Sequence, residues 1–238
     1  MSTWDLKALR DDVELLYGRD QRKDISPSLD SILQRGEFAK FHYREADRLM
    51  TENIPSEEKH GEIMMMLFGG DDASDAFEEV RFQAAAHITA CVQSMHATAD
   101  ILAHALYFAL GMNLTPKTTL EPHRIGLKAV LPLVSNNHIK RLVSKLRHDD
   151  GFRYIEALNN HSKHRSIVQM PYSLSLIDGP VSHGLKFSEF EYSGKKYEAR
   201  WVKQALSDEY KRQSRLIVSI GQSLNEALNA LATIKNNK

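Results

Sequence analysis

A mainly α-helical bundle around a long central helix, with a small β-hairpin insertion before the C-terminal helix, is the fold class this sequence predicts. Three observations lead to it. No proline interrupts residues 76–110, an alanine-rich run that ends at Gly111. Apolar residues recur at three- and four-residue spacing through much of the chain, the period of a helix with one buried face. Only residues 166–202 carry β-branched and aromatic clusters, punctuated by Asp178-Gly179-Pro180 and Ser193-Gly194 in the way turns separate strands.

Taken in order, residues 3–17 place Trp4, Leu6, Leu9, Val13, Leu16 and Tyr17 on a helix that Gly18 stops. The polar residues 19–26 read as a connection. A second helix follows Pro27, with Ile32, Leu33, Phe38, Phe41, Ala46 and Leu49 as its apolar stripe, interrupted at Gly36 and ending before Pro55. Ser56, Lys59 and the apolar residues 63–68 predict a shorter helix that stops at Gly69-Gly70, its adjacent Met64, Met65 and Met66 serving as pliable core filling. Asp71 and Asp75 offer caps and negative charge to the start of the central helix. From Ala84 onward that helix is apolar on several sides, so neighbours are expected to surround it.

Residues 120–134 and 137–148 predict two further helices, the first entered through Pro122 and interrupted near Pro132, and residues 151–158 open another. Strands are expected at 166–168, 172–177, 185–192 and 196–202, the last two joined at Ser193-Gly194 as a hairpin with a two-residue turn. A final amphipathic helix over 207–234 carries Tyr210, Leu216, Ile217, Ile220, Leu224, Leu228 and Leu231. The expected division is a set of N-terminal helices, residues 1–70, packed on a bundle core of residues 71–238 that contains the β insertion at about 166–202.

Composition narrows the function classes. With 42% hydrophobic residues in 238, the chain can bury a substantial core. Acids and bases balance at 31 each, which argues against a histone-like role in coating polyanions, although a local basic patch can sit inside a neutral total. Cys91 is the only cysteine, so no internal disulfide forms, and the first residues lack the charged-then-apolar layout of a secretory signal; a cytoplasmic location is expected. The longest apolar stretch, residues 101–112, contains His104 and is shorter than the ~20 residues a membrane-crossing helix needs, so no membrane association is expected. A Gly-rich phosphate loop, zinc-type cysteine pairing, a Gly-x-Ser-x-Gly elbow and a pair of carboxylate-x-x-His motifs of the di-iron type are all lacking, and no cofactor is expected.

Two polar segments could carry chemistry. Gln93, His96, Asp100 and His104 lie three, four and four positions apart, which places them on one stripe of the central helix. His96 and His104 cannot share one metal ion, since eight residues separate them by about 12 Å along the axis. A metal site would need donors from elsewhere, with His161 and His164 as the natural ones; otherwise the stripe is a satisfied hydrogen-bond network or faces a groove. The second segment is Asn159-Asn160-His161-Ser162-Lys163-His164-Arg165. An imidazole beside a lysine and an arginine can exchange a proton while the cations steady a phosphate, which is what metal-independent RNA cleavage requires. The same residues would also suit a helix end, the basic side chains meeting its negative pole.

The helical layout with this Asn-x-x-Lys-His-Arg run resembles the HEPN superfamily over about residues 82–165 and the last helix. That resemblance implies a helical bundle, often dimeric, that binds RNA or a nucleotide or acts as a metal-independent ribonuclease. It would make His164 the acid/base, Arg165 and Lys163 phosphate contacts, and Asn160 a positioning group, with His161 alongside and His96, Asp100 and His104 as a partner stripe. The family's nuclease motif is an arginine, a polar residue and a following histidine. Here the spacings Arg35–His42, Arg81–His87 and Arg141–His148 carry Gly36, Phe82 and Leu142 in the polar position. The alternatives are a non-catalytic interaction or scaffold protein, in which these residues are structural, and a metal-binding helical protein. A homodimer is expected because long apolar helices with small residues favour self-packing.

Overall fold

The computed structural model describes residues 3–54, 60–68, 72–175 and 182–237, and among them the chain is mainly helical with a small antiparallel strand region before the last helix. Expectations at Pro55, Ser56, Lys59, Gly69-Gly70, Asp71 and Asp178-Gly179-Pro180 lie outside the described residues. Helix α1, Leu6–Tyr17, begins where the Asp5 carboxylate accepts the Ala8 N–H at 2.9 Å and ends at Gly18, whose φ of 97° only glycine adopts readily.

Helix α2, Arg19–Asn53, starts directly after Gly18, so the polar residues read as a connection are its first turns. Their partners explain why. The Gln21 amide donates to the Phe108 carbonyl at 2.6 Å and exchanges hydrogen bonds with the Asn113 amide, Arg22 pairs with Asp11 and Glu14, and Ile25 and Leu29 are fully buried one turn apart. Pro27 lies inside this helix, where its missing N–H and ring would ordinarily break the turn; burial of the residues around it outweighs that cost. The stripe is correspondingly rotated from the expected one. Ile25, Leu29, Ile32, Ala39 and Ala46 are buried, whereas Leu33, Phe38 and Phe41 are exposed.

Helix α3 spans His60–Phe68 and buries Ile63, while Met64 and Met65 face outward and do not fill a core as expected. Helix α4 runs Asp72–Ala109 and is closed by Gly111 at φ 62°, in keeping with the stop read at that glycine. Residues 120–134 do not form one interrupted helix but three single turns: Pro122–Arg124 and Leu131–Leu133 as 3₁₀ turns flanking the one-turn α5, Leu127–Val130. Gly126 in an extended conformation and Pro132 without an N–H divide them. Helix α6, Asn137–His148, is capped by the Asn136 side chain, which accepts the His138 and Ile139 N–H groups at 2.9 and 3.1 Å. Helix α7, Asp150–His164, takes in most of the polar run.

The expected strand at 166–168 is irregular chain, held by burial of Val168 and Met170. Strands β1 (Tyr172–Ser175), β2 (Ser182–Phe187) and β5 (Arg200–Trp201) form an antiparallel sheet in the order β1-β2-β5. Strands β3 (Phe190–Tyr192) and β4 (Lys195–Tyr197) make a separate hairpin in which Tyr192 pairs with Lys195 and Phe190 with Tyr197. Its turn is Ser193-Gly194, both at positive φ, the twist a two-residue hairpin needs. Helix α8, Val202–Asn236, follows β5 without a loop and starts earlier than the periodicity of its apolar residues indicates.

The chain divides into two compact units. The first comprises Met1–Gly36, Met95–Arg153 and Tyr210–Lys238, the second Glu37–Ser94 and Tyr154–Glu209. In the first, Leu9, Val13, Leu102, Leu106, Val143, Ile220 and Leu224 are fully buried in one apolar cluster. In the second, Ile63, Phe77, Ala84, Ile88, Tyr154, Leu158 and Phe187 are buried. Among the described residues, no helix is long and apolar enough to cross a membrane.

Candidate functional site

Most of the polar run is the last two turns of α7, within the second unit. Asn159 is only 1% exposed, and its amide donates to Asn160 at 3.3 Å; its carbonyl oxygen is shielded and has no hydrogen-bond partner among the described residues, in a wall with Gln93 and Ser162 around a void of about 10 Å³, room for one water. Ser162 bonds back to the Leu158 carbonyl at 2.9 Å and so serves the helix itself. His161 Nδ1 lies 2.6 Å from the Ser166 carbonyl, which can only accept; Nδ1 therefore carries the proton, and in the neutral ring Nε2 holds the lone pair. This bond, with the Arg165 and Ser166 N–H groups on the His161 carbonyl, closes the helix end.

The hairpin holds that end in place. Phe190 and Tyr197 stack at 4.9 Å, and Tyr154 of α7 meets Phe187, Phe190 and Tyr197 edge-on at 6.0, 5.7 and 6.0 Å. His161 sits edge-on to Phe190 and Tyr192, and Arg165 donates to the Glu191 carbonyl at 3.1 Å with its guanidinium 5.7 Å from the Tyr192 ring centre. Lys195 lies over Tyr197 at 4.9 Å and Arg200 over Tyr154 at 4.3 Å. Lys163, His164 and Arg165 are exposed. Over residues 163–165 and 189–200 five cations, Lys163, Arg165, Lys195, Lys196 and Arg200, face three carboxylates, Glu189, Glu191 and Glu198.

The other stripe belongs mostly to the first unit. His96 is buried, stacked on Phe152 at 6.3 Å, with Nδ1 3.4 Å from the Asp100 carboxylate one turn on. Burial holds His104 below the usual imidazole range, with Asp100 pulling the other way. Gln93 and the polar run fall in the second unit, whereas His96, Asp100 and His104 fall in the first. Among the described residues, no group of three or more His, Cys, Asp or Glu side chains is placed to hold a metal ion.

A cleft of about 690 Å³ in the second unit escaped the sequence reading. Its walls come from the end of α2, from α4, from β1, β2 and β5, and from the start of α8. The Tyr172 hydroxyl and His183 Nδ1 are hydrogen-bonded on one wall, and His183 Nε2 is shielded with no partner among the described residues. Opposite in sequence, Lys203 pairs with Asp47 at 3.0 Å, and that hydrogen bond raises the lysine above its ordinary range. Tyr43 is raised by burial and by the neighbouring Asp47 charge. No local pattern signals such a site, since Asp47 and Lys203 come from different helices far apart in the chain. Compared with protein-family models, curated proteins and solved structures, the chain matches none.

Proposed function

We propose that the second unit binds RNA or a nucleotide through the end of α7 and the β3–β4 hairpin. Lys163 and Arg165 contact phosphate, Asn160 and His161 position the site, and His164 is the group available for proton exchange. The observation that carries this reading is the fastening of Arg165 to the Glu191 carbonyl and the Tyr192 ring, which sets exposed cations beside an aromatic edge. Single-stranded nucleic acid is held by this combination, with cations tracking the backbone and rings accepting bases. The local excess of cations in an otherwise neutral chain supports it, and the HEPN-like layout points the same way. Binding is better supported than cleavage, because His164 is exposed to water rather than enclosed with groups that could stabilise developing charge. Homodimerisation belongs to the same proposal, supported by Phe38, Phe41, Phe82, Met64 and Met65, large apolar side chains left exposed in the second unit.

Fluorescence anisotropy with a labelled mixed-sequence RNA of about 20 nucleotides, read at about 50 and 200 mM salt, tests the binding. Affinity is expected to fall with salt, and Lys163→Ala or Arg165→Ala should each lower the log–log slope by about 0.7, the share of one phosphate contact on a single strand. Incubation of the same RNA with and without EDTA, beside His164→Ala, reads cleavage. No RNA retention at the lower salt sinks the proposal, and a mass of 27.1 kDa by light scattering at micromolar concentration removes the dimer.

A further inference from the structure

None of the residues of the polar run or of the hairpin lines the cleft between α2, the β1-β2-β5 sheet and the start of α8. We propose that this cleft binds an uncharged, mainly apolar small molecule carrying a hydroxyl or amide, its body against Ile88, Leu185 and Trp201 and its polar group at the Asp47–Lys203 pair. At about 690 Å³ the cleft has the size of small-molecule sites, and most such sites combine apolar walls with a few polar groups. Ala46, Ile88 and Leu185 are buried, and Met50, Ile54 and Trp201 extend the apolar lining.

The polar group is selected by charge. Asp47 and Lys203 sit 3.0 Å apart with 44% and 74% of their side chains exposed, so they mark the open side and cancel one another. They offer one acceptor and one donor without a net field. A carboxylate or phosphate would have to displace Asp47 from Lys203 or lie uncompensated against apolar walls, which is costly. A hydroxyl or amide donates and accepts at once, and can bond both partners while the pair stays intact. The ligand class therefore differs from the polyanion proposed for α7 and the hairpin.

Equilibrium dialysis of the full chain against naphthol, naphthoate and naphthalene tests this. Saturable naphthol binding is expected, tighter than naphthoate by about 10-fold. Thr51→Trp, at an exposed position on the rim, should abolish it with an unchanged circular-dichroism spectrum. Asp47→Asn leaves Lys203 without its carboxylate, and the order should reverse, naphthoate becoming the tighter ligand by about 10-fold. Lys203→Met makes the opposite change and should weaken naphthoate further while leaving naphthalene unaltered, which keeps the test alive should Asp47→Asn fold poorly. Failure of naphthol to saturate, tighter binding of naphthoate by the unaltered chain, or naphthol binding that survives Thr51→Trp each overturns the proposal.

Discussion

Two glycines inside helices of the first unit have opposite meanings. A Cβ at Gly221 in α8 would overlap the Trp4 indole, so the missing side chain is what lets the N-terminal tryptophan pack against the helix. At Gly36 in α2 a Cβ would meet nothing within 4 Å. Gly221→Ala is therefore expected to destabilise by about 1–3 kcal/mol through overpacking, in spite of alanine's better helix propensity. Gly36→Ala should stabilise by about 0.5–1 kcal/mol, because nothing opposes that propensity. Urea midpoints of the two variants should move in opposite directions; a shift of the same sign in both would contradict the packing of Trp4. Cys91, in the interior of α4, shows burial acting on chemistry at the same scale: its thiol is pushed up to about 12, far from the thiolate a nucleophile needs.

Between elements, α2 and α4 meet in the second unit at a pair of imidazoles, with His42 Nδ1 3.0 Å from His87 Nδ1 and the Phe41 ring edge-on to both. One ring donates and the other accepts, so a proton on both breaks the bond and sets like charges together. Burial, and then the neighbouring His87, hold His42 below its ordinary value. A base whose folded pKa is depressed contributes stability that is complete above the unfolded value of about 6.5 and is lost as pH falls through it toward the folded pKa. The urea midpoint should drop between about pH 7.5 and pH 5.5, and His42→Gln should flatten that slope; His104, also lowered by burial, leaves a residual dependence of the same sign. An unchanged slope in the variant would take His42 out of the account.

What could be read in advance at this scale was local. The stop of α1 at Gly18, the end of α4 at Gly111, the bounds of α6 and the turn at Ser193-Gly194 depend on neighbours within four residues, and each was legible. The first turns of α2 were not, because Gln21 finds its partners at Phe108 and Asn113, and Pro27 read in isolation looks like a beginning. Polar character alone placed the run ending at Arg165 on a possible surface, but not the burial of Asn159 within it. The Asp47–Lys203 cleft had no local signature at all, since only the tertiary fold brings its walls together.

Across the whole molecule, protection from solvent is uneven. Leu102, Ala103, Ala105, Leu106 and Ala109 of α4 and Ile220, Leu224 and Leu228 of α8 have no exposed surface, whereas the β3–β4 hairpin is joined by three residue pairs. Native-state hydrogen exchange should therefore be slowest for amides of residues 102–109 and 220–228 and markedly faster for the hairpin. Hairpin amides as slow as those of α4 would show that the ribbon opens only with global unfolding.

The interleaving of the two units along the chain has a consequence for how the protein can be dissected. Each unit is assembled from stretches of polypeptide that are not consecutive, the second from Glu37–Ser94 and Tyr154–Glu209 and the first from three pieces around them. A stop codon before residue 210 removes a piece of the first unit, and trimming from either terminus damages that unit before it reaches the second. Isolating the second unit would take two cuts within the gene and a rejoining of the ends they leave.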